Sequence, residues 1–120
     1  MEKAVYLSLL LDFYGQLLTE KQREYADLYY NENLSLSEIA ENDGISRQAV
    51  RDSLLRAEAA LMSTEEKTGL LARYTKLQRQ IGEAEALVKQ ISALNAEHLH
   101  RPELLSLSAR LQQKLDDMKL

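Results

Sequence analysis

The chain has 120 residues, a formal net charge of −4 from 15 Lys/Arg against 19 Asp/Glu, and no cysteine. Disulfide staples and thiolate chemistry are therefore excluded, and a reducing compartment is no obstacle. Four glycines and one proline interrupt a composition rich in Ala, Leu, Glu, Lys, Gln and Arg. That balance predicts an all-α protein with one modest core, or a small domain carrying an extension.

The apolar run at the start is cut by Asp12 and lacks a cleavage-type ending, so it reads poorly as a signal peptide. No stretch approaches the ~20 apolar residues of a membrane span, and the expected setting is cytoplasmic, without membrane insertion. A first helix is expected from about Lys3 to Tyr14, with Tyr6, Leu9, Leu10 and Phe13 as its apolar stripe and Gly15 as its end. Thr19 with Gln22 forms a capping box that opens a second helix to about Tyr30. Tyr25, Leu28 and Tyr29 are its expected buried face, and Asn31-Glu-Asn33 is a polar break.

Ser35 with Glu38 is a second capping box, opening a short helix Leu36–Asn42 that buries Leu36, Ile39 and Ala40. Gly44 stands where the chain needs a left-handed residue to turn, with Ile45 expected to plug the core beneath it. Ser46 caps the next helix, whose inner face is Val50, Leu54, Ala57 and Leu61. Arg47, Gln48 and Arg51 are left outward, together with Asp52 and Leu55. Two capped helices about a glycine turn define a helix-turn-helix, whose second helix commonly enters a nucleic-acid groove. Arg47, Gln48 and Arg51 suit base edges or phosphates, and Arg56 suits a backbone contact. As plain surface, the same residues would pair locally with Asp52 and Glu58.

At Ser63-Thr-Glu-Glu either a new helix starts or one long helix bends. Beyond it Leu70, Tyr74, Leu77, Ile81, Ala84, Val88 and Ile91 recur at heptad spacing, the pattern of a seam against another helix. A helix from Thr64 to about Glu97 would be roughly 50 Å long, with Gly69 and Gly82 off the seam. The stripe widens at Leu87 and Leu94, as though a further helix packs there. Pro102 suits the first turn of a last helix to about Met118, with Leu104, Leu107, Leu111, Leu115 and Met118 on one face. The short link around His98–Arg101 predicts that it folds back antiparallel. The expected organisation is a helix-turn-helix domain over residues 1–62 and a long-helix packing segment over 63–120. The seam either pairs two chains or packs internally on the last helix and the N-terminal bundle; because the long helix exceeds what the last one can cover, a homodimer is the favoured expectation.

Charge is uneven. Residues 1–62 hold six Lys/Arg against eleven Asp/Glu, a net of −5, while residues 63–120 hold nine against eight. Nucleic-acid binding draws most of its affinity from phosphate neutralisation, so an acidic helix-turn-helix would bind weakly alone. Tyr29-Tyr30 offers a stacking platform for bases or, more simply, core filling. His98 and His100 with Glu97 and Glu103 do not share a helix face and make a poor metal set. The chain has neither a glycine-rich phosphate loop nor a nucleophile–base pattern with context, so no cofactor is called for and no catalysis is expected.

Over Thr19–Leu61 the run Leu-Thr-Glu-Lys-Gln-Arg-Glu-Tyr, then Leu-Ser-Leu-Ser-Glu-Ile-Ala-Glu and Ile-Ser-Arg-Gln-Ala-Val, is similar to the sigma-factor region 4 type of helix-turn-helix. With Leu11-Asp-Phe-Tyr14 and Tyr29-Tyr30 included, residues 3–62 resemble the YlxM family of small bacterial proteins. That resemblance implies a regulatory or accessory role in the signal recognition particle pathway, with the particle's RNA, DNA or the particle's GTPase as partner. Carried over by position, the contact residues are Arg47, Gln48 and Arg51. A dimeric transcription regulator, reading half-sites about 34 Å apart, is the alternative, and a plain interaction module is the third.

Overall fold

The structure, a computed structural model, describes residues 2–119. It contains α1 (Lys3–Tyr14), α2 (Glu20–Tyr30), α3 (Leu36–Asp43), α4 (Arg47–Thr68), α5 (Leu70–Leu94) and α6 (Pro102–Asp117). No strand occurs among the described residues, so the protein is all-α. The chain divides into two compact units, Met1–Leu71 and Ala72–Leu120.

In the first unit α4 packs against α1, α2 and α3. Helix α1 buries Leu7, Leu10, Leu11 and Tyr14, one residue out of phase with the stripe expected from periodicity. The helix is apolar over more than half of its circumference, so spacing alone does not choose its inward face. Tyr14 does. Its hydroxyl donates to Glu65 Oε1 at 2.6 Å and lies 2.6 Å from Thr68 Oγ1, which gives a buried phenol the partners it needs. Phe13, expected inside, is 36 % exposed and meets Tyr14 edge-on at 6.0 Å.

Both expected capping boxes form. Thr19 accepts from the Gln22 N–H while the Gln22 side chain accepts from the Thr19 N–H, and Ser35 and Glu38 do the same for α3. Gly44, at φ 65°, ends α3 in the left-handed region. Its N–H reaches the Glu41 carbonyl, and the Ile45 N–H reaches the Ala40 carbonyl at 3.1 Å, the two bonds of a Schellman turn. The turn uses the backbone of Ile45 and not its side chain, which is 38 % exposed instead of plugging the core. Ile39, Ala40 and Val50 are the buried residues on either side of it.

Ser46 caps α4 through the Ala49 N–H at 3.0 Å, and Val50, Leu54, Ala57 and Leu61 are buried as expected. The helix runs through Ser63 without a break, Thr64 back-bonding to the Ala60 carbonyl at 2.8 Å. It ends at Gly69, which adopts φ 62° and donates to the Glu65 carbonyl. The expected single helix from Thr64 to Glu97 is thus two helices. A glycine that resembles a mid-helix defect in the sequence is a left-handed cap.

In the second unit α6 returns antiparallel to α5, packing Leu115 with Ile81 and Val88, with Ala84 partly buried beside them. Gln112 Nε2 and Lys119 Nζ each reach Glu85 Oε2 at 2.8 Å. The reversal is a π-helical turn, Asn95–Leu99, followed by His100 at φ 50°. Buried Asn95 staples it: its amide donates to the Arg101 carbonyl at 2.9 Å and its side-chain oxygen accepts from the Arg101 N–H at 2.7 Å. Of the expected leucine row of α6, Leu115 is buried and Leu104 half-buried, Ser108 joins them on the inward face, and Leu107, Leu111 and Met118 are about half exposed. Of the heptad positions, Ile81 and Val88 are buried within the chain, while Leu70, Leu77 and Ile91 stay exposed.

Candidate nucleic-acid interface

The local sequence aims α4 outward. Ser46 starts the helix immediately after the Gly44–Ile45 turn, and burial of Val50, Leu54, Ala57 and Leu61 fixes its rotation. Arg47, Gln48 and Arg51 are consequently exposed on its first turns. Gln48 Nε2 is held by Asp52 Oδ1 at 2.9 Å. Arg47 and Arg51 form no ion pair among the described residues. Arg56 is also exposed, but it lies five residues past Arg51, about 140° further round the helix. The fold therefore brings Arg47, Gln48 and Arg51 to one face and does not bring Arg56 to them.

Beside Arg51 a small cleft of about 90 Å³ is lined by Tyr29, Tyr30, Leu36, Leu54, Leu55 and Glu58. Tyr29, expected in the core, is 38 % exposed, with its ring edge-on to Tyr30 at 5.1 Å. Tyr30 takes the inner place because α4 supplies a partner. Burial first, and then a hydrogen bond to Glu58, push its phenol well above the ordinary value. Glu58 is also paired with Lys3 at 3.2 Å. The reading of sequence alone had no signal for this tie, since it joins three separate helices.

The turn ahead of α4 is held by a second polar cluster. Lys21 Nζ lies 3.0 Å from Asp43 Oδ2, and the Tyr25 hydroxyl donates to the same carboxylate. The Tyr25 hydroxyl and the Lys21 ammonium hold the Asp43 carboxyl below its ordinary value. A lowered folded value means that the contribution is whole above the ordinary carboxylate range and is lost as pH falls through the folded one. Thermal melts should therefore separate wild type from Asp43→Asn most widely near neutrality. The gap should close below pH ~4, and a gap that stays constant down to pH ~3 would refute the assignment.

A three-helix packing with a capped, glycine-turned α3–α4 pair and an outward cationic helix start defines a helix-turn-helix protein. The sequence comparisons give the particular family. Residues 1–99 match the UPF0122 family, described as "Putative helix-turn-helix protein, YlxM / p13 like", and the chain belongs to it. UPF0122 proteins of Bacillus cereus (strain AH187), Bacillus anthracis (strain A0248) and Bacillus thuringiensis subsp. konkukian are each 44 % identical over 97 residues. Each alignment spans 81 % of this chain and 88 % of the relative. No helix among the described residues is long and apolar enough to cross a membrane.

Proposed function

We infer that this protein is a non-enzymatic regulatory or accessory factor of the signal recognition particle pathway, binding nucleic acid, the particle's RNA foremost, through the start of α4. One observation carries the reading: Arg47 stands in the first turn of α4 without an ion pair among the described residues. A cation there opposes the helix macrodipole and costs about 0.3–1 kcal/mol, a local conflict of the kind found at functional sites. A phosphate seated at that helix end would reverse the sign of the interaction.

The acidity of the surrounding unit tempers affinity. Glu38, Glu41 and Asp43 make α3 purely acidic among its charged residues, so phosphate contacts must come from α4. A second reading, docking of a basic protein surface such as that of the particle's GTPase, is favoured by one feature. A groove of about 530 Å³ between α1 and α2 is lined by Asp12, Glu20, Glu24 and Asp27, with Arg23 the one cation among its lining residues. Complementary potentials there would steer association.

Titration of the full chain with the particle's RNA and with random duplex DNA, at two salt concentrations, tests the first reading. Tighter binding to the RNA, with a logarithmic salt slope near −2, is the expected result. Tighter binding to duplex DNA would move the protein to the transcription-regulator reading. No binding to either, together with capture of the GTPase, would overturn nucleic-acid recognition in favour of the protein partner.

A further inference from the structure

The cleft beside Arg51 holds groups that packing of the first unit does not use. Tyr29, at the end of α2, lines it while staying 38 % exposed. Core filling accounts for Tyr30, which takes the inner place, and not for Tyr29. The two rings stand at 88° to each other, an edge contact that uses at most one face of the Tyr29 ring. Leu55 lines the same cleft and is 48 % exposed. It follows Arg51 by four residues and Gln48 by seven, so it shares their side of α4. Of the two charged lining residues, Glu58 is engaged by Lys3 at 3.2 Å and by the Tyr30 hydroxyl. Arg51 forms no ion pair among the described residues. An accessible aromatic ring, an exposed leucine and an uncompensated cation therefore meet at the edge of the reading face.

We propose that this cleft takes one unpaired base of an RNA, stacked on the Tyr29 ring beside Leu55, with Arg51 on the neighbouring phosphate. The proposal rests on the nucleic-acid reading above and narrows its target to RNA with a bulge or loop at the contact. Size sets the first limit. The cleft measures about 90 Å³, well below the roughly 300–1,000 Å³ of a small-molecule pocket, so it suits a single flat ring. Chemistry sets the second. The major groove of a paired RNA stem is too deep and narrow for side chains, so RNA sequence is read at unpaired bases that stack on aromatic rings and guanidinium planes. A fully paired stem offers Tyr29 no free base face. Charge gives stacking a particular use here. Residues 1–71 carry seven Lys/Arg against thirteen Asp/Glu, which limits what phosphate neutralisation can supply. Stacking on a neutral ring adds affinity without more positive charge.

Fluorescence anisotropy with the full chain and two RNA hairpins of one stem sequence tests the cleft. One hairpin is fully paired and the other carries a single unpaired adenosine. The bulged hairpin should bind ~10-fold more tightly. Tyr29→Ala should remove that preference and leave the paired hairpin unchanged, while Tyr29→Phe should keep it, because stacking uses the ring face and not the hydroxyl. Tyr29 is already partly exposed, so the helical circular dichroism signal should stay. Should Tyr29→Ala lose helicity, Leu55→Ala carries the same comparison from the outer side of α4. Equal binding of both hairpins by the wild-type chain overturns the stacking cleft and leaves nucleic-acid binding standing. Binding to neither overturns it together with the reading on which it rests, and passes the cleft to an apolar side chain of a protein partner. A Tyr29→Ala loss equal for both hairpins also overturns it, since the ring would then only support the packing of α2 on α4. So does tighter binding of the same bulged hairpin made of DNA.

Discussion

Leu7→Ala is expected to lower the free energy of unfolding by about 3–4 kcal/mol, and Phe13→Ala by about 1 kcal/mol. Both residues stand on the same 12-residue helix, and phenylalanine is the larger side chain, so size alone would predict the reverse order. The difference is burial. Leu7 has no exposure, and truncation removes its transfer energy and leaves a cavity between α1 and its neighbours. Phe13 is 36 % exposed and meets Tyr14 edge-on, so its truncation removes less buried surface. Urea denaturation of the full chain measures both directly. For a unit of this size the Leu7 change corresponds to a fall in melting temperature of some 15–25 °C. Equal losses, or a larger loss at Phe13, would return the inward face of α1 to the phase that spacing alone predicts.

This pair also marks the boundary of what the sequence discloses. The starts of α2, α3 and α4 were legible because each depends on a few neighbouring residues: Thr19 with Gln22, Ser35 with Glu38, and Ser46. The rotation of α4 was legible too, since its apolar positions are sparse and occupy one side. Helix α1 was not, because Tyr6, Leu7, Leu9, Leu10, Leu11, Phe13 and Tyr14 spread over roughly 200° of its circumference, and Ser8 with Asp12 exclude only one narrow side. Its phase is chosen some fifty residues away, by Glu65 and Thr68. Gly69 is not legible as a cap, because a left-handed cap followed at once by another helix has no punctuation besides the glycine. Asn95 gave no signal either, since its partners are backbone atoms of Arg101. The exposed residues of the candidate interface follow from the α4 pattern. Their separation from Arg56 needed only the helical repeat, but the Tyr29–Tyr30 exchange needed Glu58.

The largest functional effect is expected from Arg47→Ala combined with Arg51→Ala: about 2–4 kcal/mol of nucleic-acid binding, or roughly 30–1,000-fold in affinity. Alanine is the best helix former, so α4 keeps its structure and the loss is one of contacts. If both arginines meet phosphates, the logarithmic salt slope should also fall in magnitude by about 2. If instead they read base edges, affinity for the preferred target should fall while weak non-specific binding and most of its salt slope persist. Gln48→Ala should cost less than about 1 kcal/mol, since its amide is already held by Asp52 and must leave that partner to reach a base. Arg56→Ala is the decisive control. It removes the same charge from the same helix, so a purely electrostatic, face-blind interaction would register it fully. A surface centred on Arg47 and Arg51 would register it only weakly, because Arg56 points elsewhere around α4. Filter-binding or fluorescence titration of all four variants separates these outcomes. An Arg56→Ala loss as large as that of the arginine pair would sink the assignment of the α4 start as the reading face.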